Sequence, residues 1–133
     1  MALLTQSKAV RAFLAEKAAT VCENIFDQDR PQTYPRQLDK FIVVALKNKV
    51  PHSSISEKAY IQFHIYVKDG ANGMFRDDVM QDLIDGVKML DLQSPLFVFN
   101  GSCVETDPKV DGLGFHAVVL QYPVTLIKQV INN

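Results

Sequence analysis

The hydrophobic pattern of residues 60–90 changes once, from a period of two residues to a helical period. In the first stretch every second position is apolar, as in a strand with one buried face; these positions are Ile61, Phe63, Ile65 and Val67. After a turn that contains Gly70 and Gly73, apolar residues recur at helical spacing; these are Phe75, Val79, Leu83, Ile84, Val87 and Leu90. The pattern predicts a strand, a turn and an amphipathic helix in succession.

The first part of the chain predicts another helix and a link. Residues 7–27 carry a broad apolar stripe with several alanines, and Ser7 is available as a cap, which predicts a helix. Residues 27–36 are polar and contain Pro31 and Pro35, which predicts a connecting loop.

Residues 41–46 form a continuous apolar run rich in branched side chains. Such a run predicts a strand that is covered on both faces, and this burial suggests an interface. Residues 47–58 then predict a long exposed hairpin loop that leads into the alternating strand.

The last part of the chain predicts two further strands. Residues 96–99 begin the third strand, which bulges at Asn100-Gly101 and continues over residues 102–105. Residues 106–114 predict a loop, and residues 115–122 predict a fourth strand that Pro123 stops.

The predicted fold class is α+β, in the order helix-strand-strand-helix-strand-strand. We expect a mainly antiparallel four-stranded sheet packed against two helices. A chain of 133 residues with 47% hydrophobic residues is long enough for one core, so residues 1–133 are predicted to form a single domain.

Composition and charge narrow the expected partners. A formal net charge of -1 provides no broad positive field, so neither nonspecific nor sequence-specific nucleic-acid binding is expected. Cys22 and Cys103 lie far apart and indicate neither a zinc site nor a disulfide framework, which fits a reducing cytosol. No apolar run is long enough for a signal-peptide core or a membrane span, so no membrane partner is expected.

No motif in the chain indicates catalysis, a cofactor or a metal. The three histidines, His52, His64 and His116, lack the spacing of a metal site or a catalytic group. The turn at residues 70–73 has no GK[ST] ending, and Asp77 brings negative charge to the following helix, so it is interpreted as a turn and not as a phosphate site. We therefore predict a protein that is not an enzyme.

Two groups of charged residues remain as candidates for surfaces. An acidic ridge on the second helix is, by itself, typical of a solvated helix face; it consists of Asp77, Asp78, Asp82 and Asp85. Lysines flank the first hairpin, where charged residues commonly protect sheet edges; they are Lys40, Lys47, Lys49 and Lys58.

The element order resembles that of the tail terminator or tail-completion family of long-tailed phages, over nearly the whole chain. The segments that carry the resemblance are Tyr34-Pro35, Phe41-Ile42-Val43-Val44 and Tyr66-Val67-Lys68, which leads into the Phe75 helix. The resemblance implies a non-enzymatic subunit that forms a ring, usually hexameric, at the head-proximal end of the tail tube. Such a ring stops tube growth and offers a docking surface for the head.

The resemblance also implies partners and surfaces. The partners would be further copies of this chain, the tail tube protein and a head-completion or connector protein, in the host cytoplasm during assembly and afterwards in the virion tail. The first hairpin would contact a neighbouring subunit or the tube, through Lys47, Lys49, His52, Ile55 and Lys58. The acidic ridge would face the DNA channel without retaining DNA.

Two alternatives stay open at this point. The chain is also compatible with another head-tail joining or minor tail protein. A small-ligand-binding or enzyme domain would instead place a site between sheet and helices, from His64, His116 and Tyr122.

Overall fold

The computed structural model describes residues 2–4, 6–27 and 38–131. Within them, the helices are α1 (Ser7–Ala18) and α2 (Asp77–Lys88), and a 3-10 turn covers Ala71–Gly73. The strands are β1 (Ala2–Leu4), β2 (Ile25–Asp27), β3 (Lys40–Pro51), β4 (Ser56–Lys68), β5 (Phe97–Phe99), β6 (Val104–Glu105), β7 (Lys109–Val110), β8 (Phe115–Ile127) and β9 (Gln129–Ile131). Most of the predicted link lies outside the described residues, at positions 28–37.

Seven of these strands form one mixed sheet. Its order is β2-β3-β4-β8-β5, and β6 and β7 also pair with β8. β2 runs parallel to β3, whereas the other pairs in this sheet are antiparallel. β1 and β9 form a separate antiparallel pair. The predicted four-stranded antiparallel sheet in helix-strand-strand-helix-strand-strand order is therefore wrong, because the described chain is mainly strand and its large sheet is mixed.

The prediction of one helix over residues 7–27 is wrong beyond Ala18. The backbone N–H groups of Thr20, Val21 and Cys22 bond to carbonyls of the last turn of α1, and the chain then becomes extended. Ile25 pairs beside Ile42 on the edge of β3. Apolar residues at 21, 25 and 26 fit either period, and pairing with an available strand edge decided the outcome.

Pro123 does not stop the fourth strand, because β8 continues to Ile127. The carbonyl of Pro123 accepts a hydrogen bond from the backbone N–H of Asn100 at 2.8 Å. Since the N and O of one strand residue face the same side, the missing N–H of Pro123 points away from β4. It faces residues 100–103, where the neighbouring chain leaves the ladder between β5 and β6.

The main core lies between the sheet and both helices. Alternate β4 residues from Ile61 to Val67 pack with Leu14 of α1 and with Leu83 of α2. The alternation predicted for this strand is confirmed, since its inward positions are buried and its outward positions are more exposed. The described chain therefore places both helices against one face of the sheet.

A second, smaller cluster covers part of the other face. Phe41 stacks on Tyr66 with ring centroids 4.6 Å apart, and Phe115 and Val43 complete its buried part. The prediction that the 41–46 run is covered on both faces is confirmed for residues 41–45. This burial arises within the chain and requires no interface.

The predicted loop over residues 47–58 is wrong, since β3 and β4 extend into it from both sides. Only residues 52–55 separate the two strands. A register shift between Lys47 and Val50 accommodates one extra residue on β3, and Asn48 there has φ 56°. A bulge thus keeps the two strands paired where the sequence indicated a loop.

Candidate functional site

The β3–β4 hairpin carries the predicted contact residues and presents them to solvent. Lys47, Lys49, His52, Ile55 and Lys58 are all exposed. Ile55 is 57% exposed and Val50 is 51% exposed, so the hairpin offers apolar surface among its cations. Exposed apolar side chains of this kind are typical of interaction sites when they cluster.

The hairpin tip, residues 52–55, is held by hydrogen bonds. The backbone N–H groups of His52 and Ser53 both donate to the carbonyl of Ser56, and the Ser53 and Ser56 hydroxyls lie 2.8 Å apart. The backbone N–H of Lys128 donates to the carbonyl of Ile55 at 2.8 Å. The tip is therefore tied to the end of β8 and presents Ile55 from a fixed backbone.

The hairpin is also joined to α1. Lys49 Nζ donates a hydrogen bond to Ser7 Oγ at 2.9 Å. Ser7 is the first residue of α1 and makes no side-chain capping bond to the helix, so the predicted cap is wrong. The Ser7 hydroxyl instead accepts this bond from the hairpin.

The acidic ridge lies on the solvent side of α2. Its four aspartates, Asp77, Asp78, Asp82 and Asp85, are exposed. The opposite side of the helix is buried through Met80, Leu83, Ile84 and Val87. Asp77 and Asp78 stand in the first turn, where negative charge stabilises the helix dipole. The ridge is an open anionic surface and not an enclosed site.

The two edges of the large sheet are chemically different. Among the described residues, β2 pairs with β3 only at positions 42–44, which leaves positions 45–51 of β3 without a strand neighbour on that side. The opposite edge, residues 97–113, consists of the three short strands on β8 and is named here the broken edge. Its exposed apolar residues are Val98, Phe99, Val104, Val110 and Leu113.

Sequence reasoning missed the broken edge as a surface. Residues 106–114 look like a loop because Pro108, Gly112 and Gly114 are turn formers. In the structure β7 pairs with β8 inside that loop, and Val110 remains 69% exposed. The sequence feature that indicates this strand is the presence of single apolar residues, Val110 and Leu113, in a segment that is otherwise polar and rich in turn formers.

A cleft of about 360 Å³ opens where the broken edge leaves β8 between β5 and β6. We name it the Tyr122 cleft; it is lined in part by Leu90, Asp91, Leu92, Phe99, Cys103 and Tyr122. Gly101 also lines it, and a Cβ at this position would lie 3.2 Å from Pro123 Cγ. Gly101 therefore lies close to Pro123, and a side chain at this position would crowd it.

Two polar residues of the Tyr122 cleft, Tyr122 and Lys88, interact with a neighbouring side chain. Burial raises the pKa of Tyr122 well above its ordinary value, and the neighbouring Cys103 thiol raises it further. Lys88 Nζ lies 2.6 Å from Glu105 Oε1, which joins the end of α2 to β6. A Tyr122 hydroxyl held in its protonated form is a hydrogen-bond group and not a base.

The histidines and Tyr122 do not form one site. His116 pairs with Val67, and its ring stacks on Phe75 at 4.3 Å on the helix side of the sheet. His64 pairs with Val43 and Val119 on the other face, where its Nε2 lies 2.8 Å from Gln62 Oε1. A ligand or enzyme site would need His64, His116 and Tyr122 together. His64 lies on the opposite face of the sheet from His116 and Tyr122, so the three side chains do not form one site.

His64 and His116 both belong to local networks. Gln62 Nε2 donates to Gln121 Oε1 at 2.7 Å and links the His64 network to β8. Burial lowers the pKa of His64, and the positive charge of Lys47 lowers it further. His116 Nδ1 lies 2.5 Å from Asp69 Oδ1. In the described part of the chain, no three His, Cys, Asp or Glu side chains are grouped so that they could hold a metal ion.

Comparisons with known proteins add no family assignment. No protein-family model matches the chain, and no curated protein matches it significantly. Among the residues that the structure describes, neither helix is long and apolar enough to cross a membrane.

Proposed function

We propose that this protein is a structural subunit of a phage or prophage tail, namely a tail terminator. In this proposal it forms a hexameric ring that ends growth of the tail tube and provides the surface to which the head docks. The observation that carries the proposal is the presence of exposed apolar side chains at two different places on one open sheet, the hairpin end and the broken edge. The family resemblance of the sequence supplies the biological setting.

Two different surfaces of the sheet support head-to-tail association of identical subunits. One is the hairpin end of the sheet with Val50 and Ile55, and the other is the broken edge with Val104 and Val110. Unpaired strand edges and exposed apolar patches both favour association. When two different surfaces of identical subunits meet, the contact is heterologous, and its repetition closes into a ring if the rotation permits.

The charged surfaces suit the partners of a tail terminator. The cationic hairpin, with Lys47, Lys49, His52, Ile55 and Lys58, is proposed to contact a neighbouring subunit or the tail tube protein. The acidic ridge of Asp77, Asp78, Asp82 and Asp85 is proposed to face the channel, where its charge repels DNA phosphates and lets DNA pass. A head-completion or connector protein would bind the opposite side of the ring. Assembly would take place in the host cytoplasm before the ring enters the virion tail.

The first test is the mass of the protein in solution. Light scattering over a range of concentrations should give a species of about six subunits, and negative-stain images should show closed rings. Because rings of this kind can require a template, the same measurement should be made with polymerising tail tube protein. Tubes formed with the protein should be shorter and carry one capped end.

Substitution at the hairpin provides a matched comparison. Ile55→Asp should abolish ring formation and tube capping, since it places a charge on the apolar tip. Met74→Asp is the control, because Met74 is 71% exposed but lies before α2 and at neither sheet edge. A protein that remains monomeric and never caps tubes, or an Ile55→Asp variant that assembles normally, would contradict the proposal.

A further inference from the structure

The Tyr122 cleft is suited to bind one apolar side chain. Its walls include Leu90, Leu92 and Phe99, and Tyr122 and Cys103 also line it. Its volume of about 360 Å³ exceeds that of an aliphatic side chain, so a branched residue and part of its backbone fit within it. Concave apolar sites with a few polar groups at the rim are typical binding sites.

The hairpin tip presents an exposed apolar side chain, Ile55. Ile55 projects from a backbone that hydrogen bonds fix, so little order has to be gained when it binds. The exposed cations Lys49 and Lys58 lie near it along the chain, where they outnumber the one nearby anion, Glu57. The tip is a rigid apolar knob with positive charge beside it.

The charges of knob and cleft are opposite. Asp91 lines the cleft, and within the described residues no cation forms an ion pair with it. Lys88, the cation of the cleft, is already paired with Glu105. A cationic tip therefore meets a net negative rim, which favours this orientation over a contact between two tips.

The two surfaces cannot meet within one molecule. Tyr122 pairs with Ile61, six residues from Ile55 along β4. At about 3.3 Å per residue this separation is roughly 20 Å along a continuous strand. The tip of one copy is thus able to enter only the cleft of another copy.

We propose that the Tyr122 cleft binds the hairpin tip of a second copy of this chain, with Ile55 inserted between Leu90, Leu92 and Phe99. This inference rests on the proposed function and names the contact that would build its ring. The contact is heterologous, so each subunit donates one tip and accepts one. When the ring of subunits closes, every tip and every cleft is occupied.

Cys103 provides a natural probe of this contact. In Ile55→Cys, the introduced thiol should lie beside Cys103 of the next copy, and mild oxidation with diamide should join them by a disulfide, with the two electrons and two protons passing to diamide. Because each chain then has two different linking points, a denaturing gel without reductant should show a ladder above the dimer. Cys22 is 3% exposed and should not take part.

Two control variants define the result. Ile55→Cys combined with Cys103→Ser should lose every band above the dimer, and Met74→Cys should yield at most a fifth of the ladder formed by Ile55→Cys. Absence of the ladder from Ile55→Cys, while light scattering still shows rings, would overturn this contact and leave the proposed ring standing. Absence of both ladder and rings, even with tail tubes present, would overturn both.

Charge reversal tests the same contact without cysteine. Asp91→Lys should weaken association at least tenfold, and combining it with Lys58→Glu should restore at least half of the loss. A double variant no better than Asp91→Lys, with both variants folded by circular dichroism, would contradict the assigned contact.

Discussion

Gly86 of α2 lies directly against Val21, the residue that follows the C-terminal turn of α1. A Cβ at residue 86 would be 2.7 Å from Val21 Cγ1, closer than carbon atoms pack. The only glycine within α2 is thus explained by packing, because a glycine inside a helix costs about 1 kcal/mol relative to alanine. It allows the helix to approach the chain that leads into β2.

Gly86→Ala is expected to lower the free energy of unfolding by about 1 kcal/mol, because overpacking outweighs the gain in helix propensity. Val21 is branched at Cβ and has little freedom to rotate away. In a Val21→Ala background the clash is removed, and the same change should become stabilising by up to about 1 kcal/mol. Urea unfolding of the four proteins measures the sign, and an unchanged sign in the Val21→Ala background would contradict the packing argument.

His64 predicts a pH dependence of stability. Burial and then Lys47 lower its pKa, so the folded protein binds this proton less readily than the unfolded chain, whose ordinary value is 6.5. Between the lowered pKa and pH 6.5 the unfolded state carries more protons, and the free energy of unfolding rises with pH through this window. Above it, His64 contributes no further slope.

Urea unfolding between pH 5 and 7.5 tests this prediction. His64→Gln should flatten the slope below pH 6.5, and Lys47→Gln should reduce it in part, because it removes the second cause of the shift. An equal slope in wild type and His64→Gln would show that other groups control the dependence.

Asn48 occupies the bulge of β3 with φ 56°. Asn48→Gly should leave stability within about 0.5 kcal/mol, whereas Asn48→Val should cost about 1–2 kcal/mol, since a branched residue is strained in the left-handed region. Thermal unfolding measures both. If Asn48→Val were as stable as Asn48→Gly, residue 48 would not need the left-handed backbone conformation that the bulge gives it.

The pair of Asp69 and His116 predicts a non-additive effect. Their side chains are only 11% and 14% exposed, so Asp69→Ala should leave a largely buried imidazole without its partner and cost about 1–3 kcal/mol. Adding His116→Phe should recover part of this loss, since phenylalanine keeps a ring on Phe75 and removes the unpaired group. A double-mutant cycle in urea measures the coupling, and simple additivity would contradict it.

The sequence predicts best those elements in which one face is apolar along the whole length. The inward residues of β4, such as Phe63 and Ile65, and those of α2, such as Leu83 and Val87, determine their own elements because a single period accounts for each. The exposure of the acidic ridge follows from the same period, whereas the polar residues at positions 47–58 indicated that the hairpin is exposed but not that its strands pair.

The sequence was ambiguous where pairing with a distant strand decided the structure. Ile25 and Phe26 suit a helix as well as a strand, and only the open edge of β3 made them β2. Pro123 looks like a strand end, and only the departure of residues 100–103 from the ladder allowed β8 to pass through it.

The sequence by itself determined the two main amphipathic elements, the buried run at residues 41–45 and the exposed charged surfaces, because local hydrophobic periodicity and charge specify them. Only the tertiary structure decided the mixed sheet, its two unlike edges, the division of His64 from His116 and the Tyr122 cleft. These features depend on register between strands far apart in the chain, such as Ile61 with Tyr122. The physical reason is that a local pattern specifies which face of an element is buried, whereas pairing among the elements specifies what that face meets.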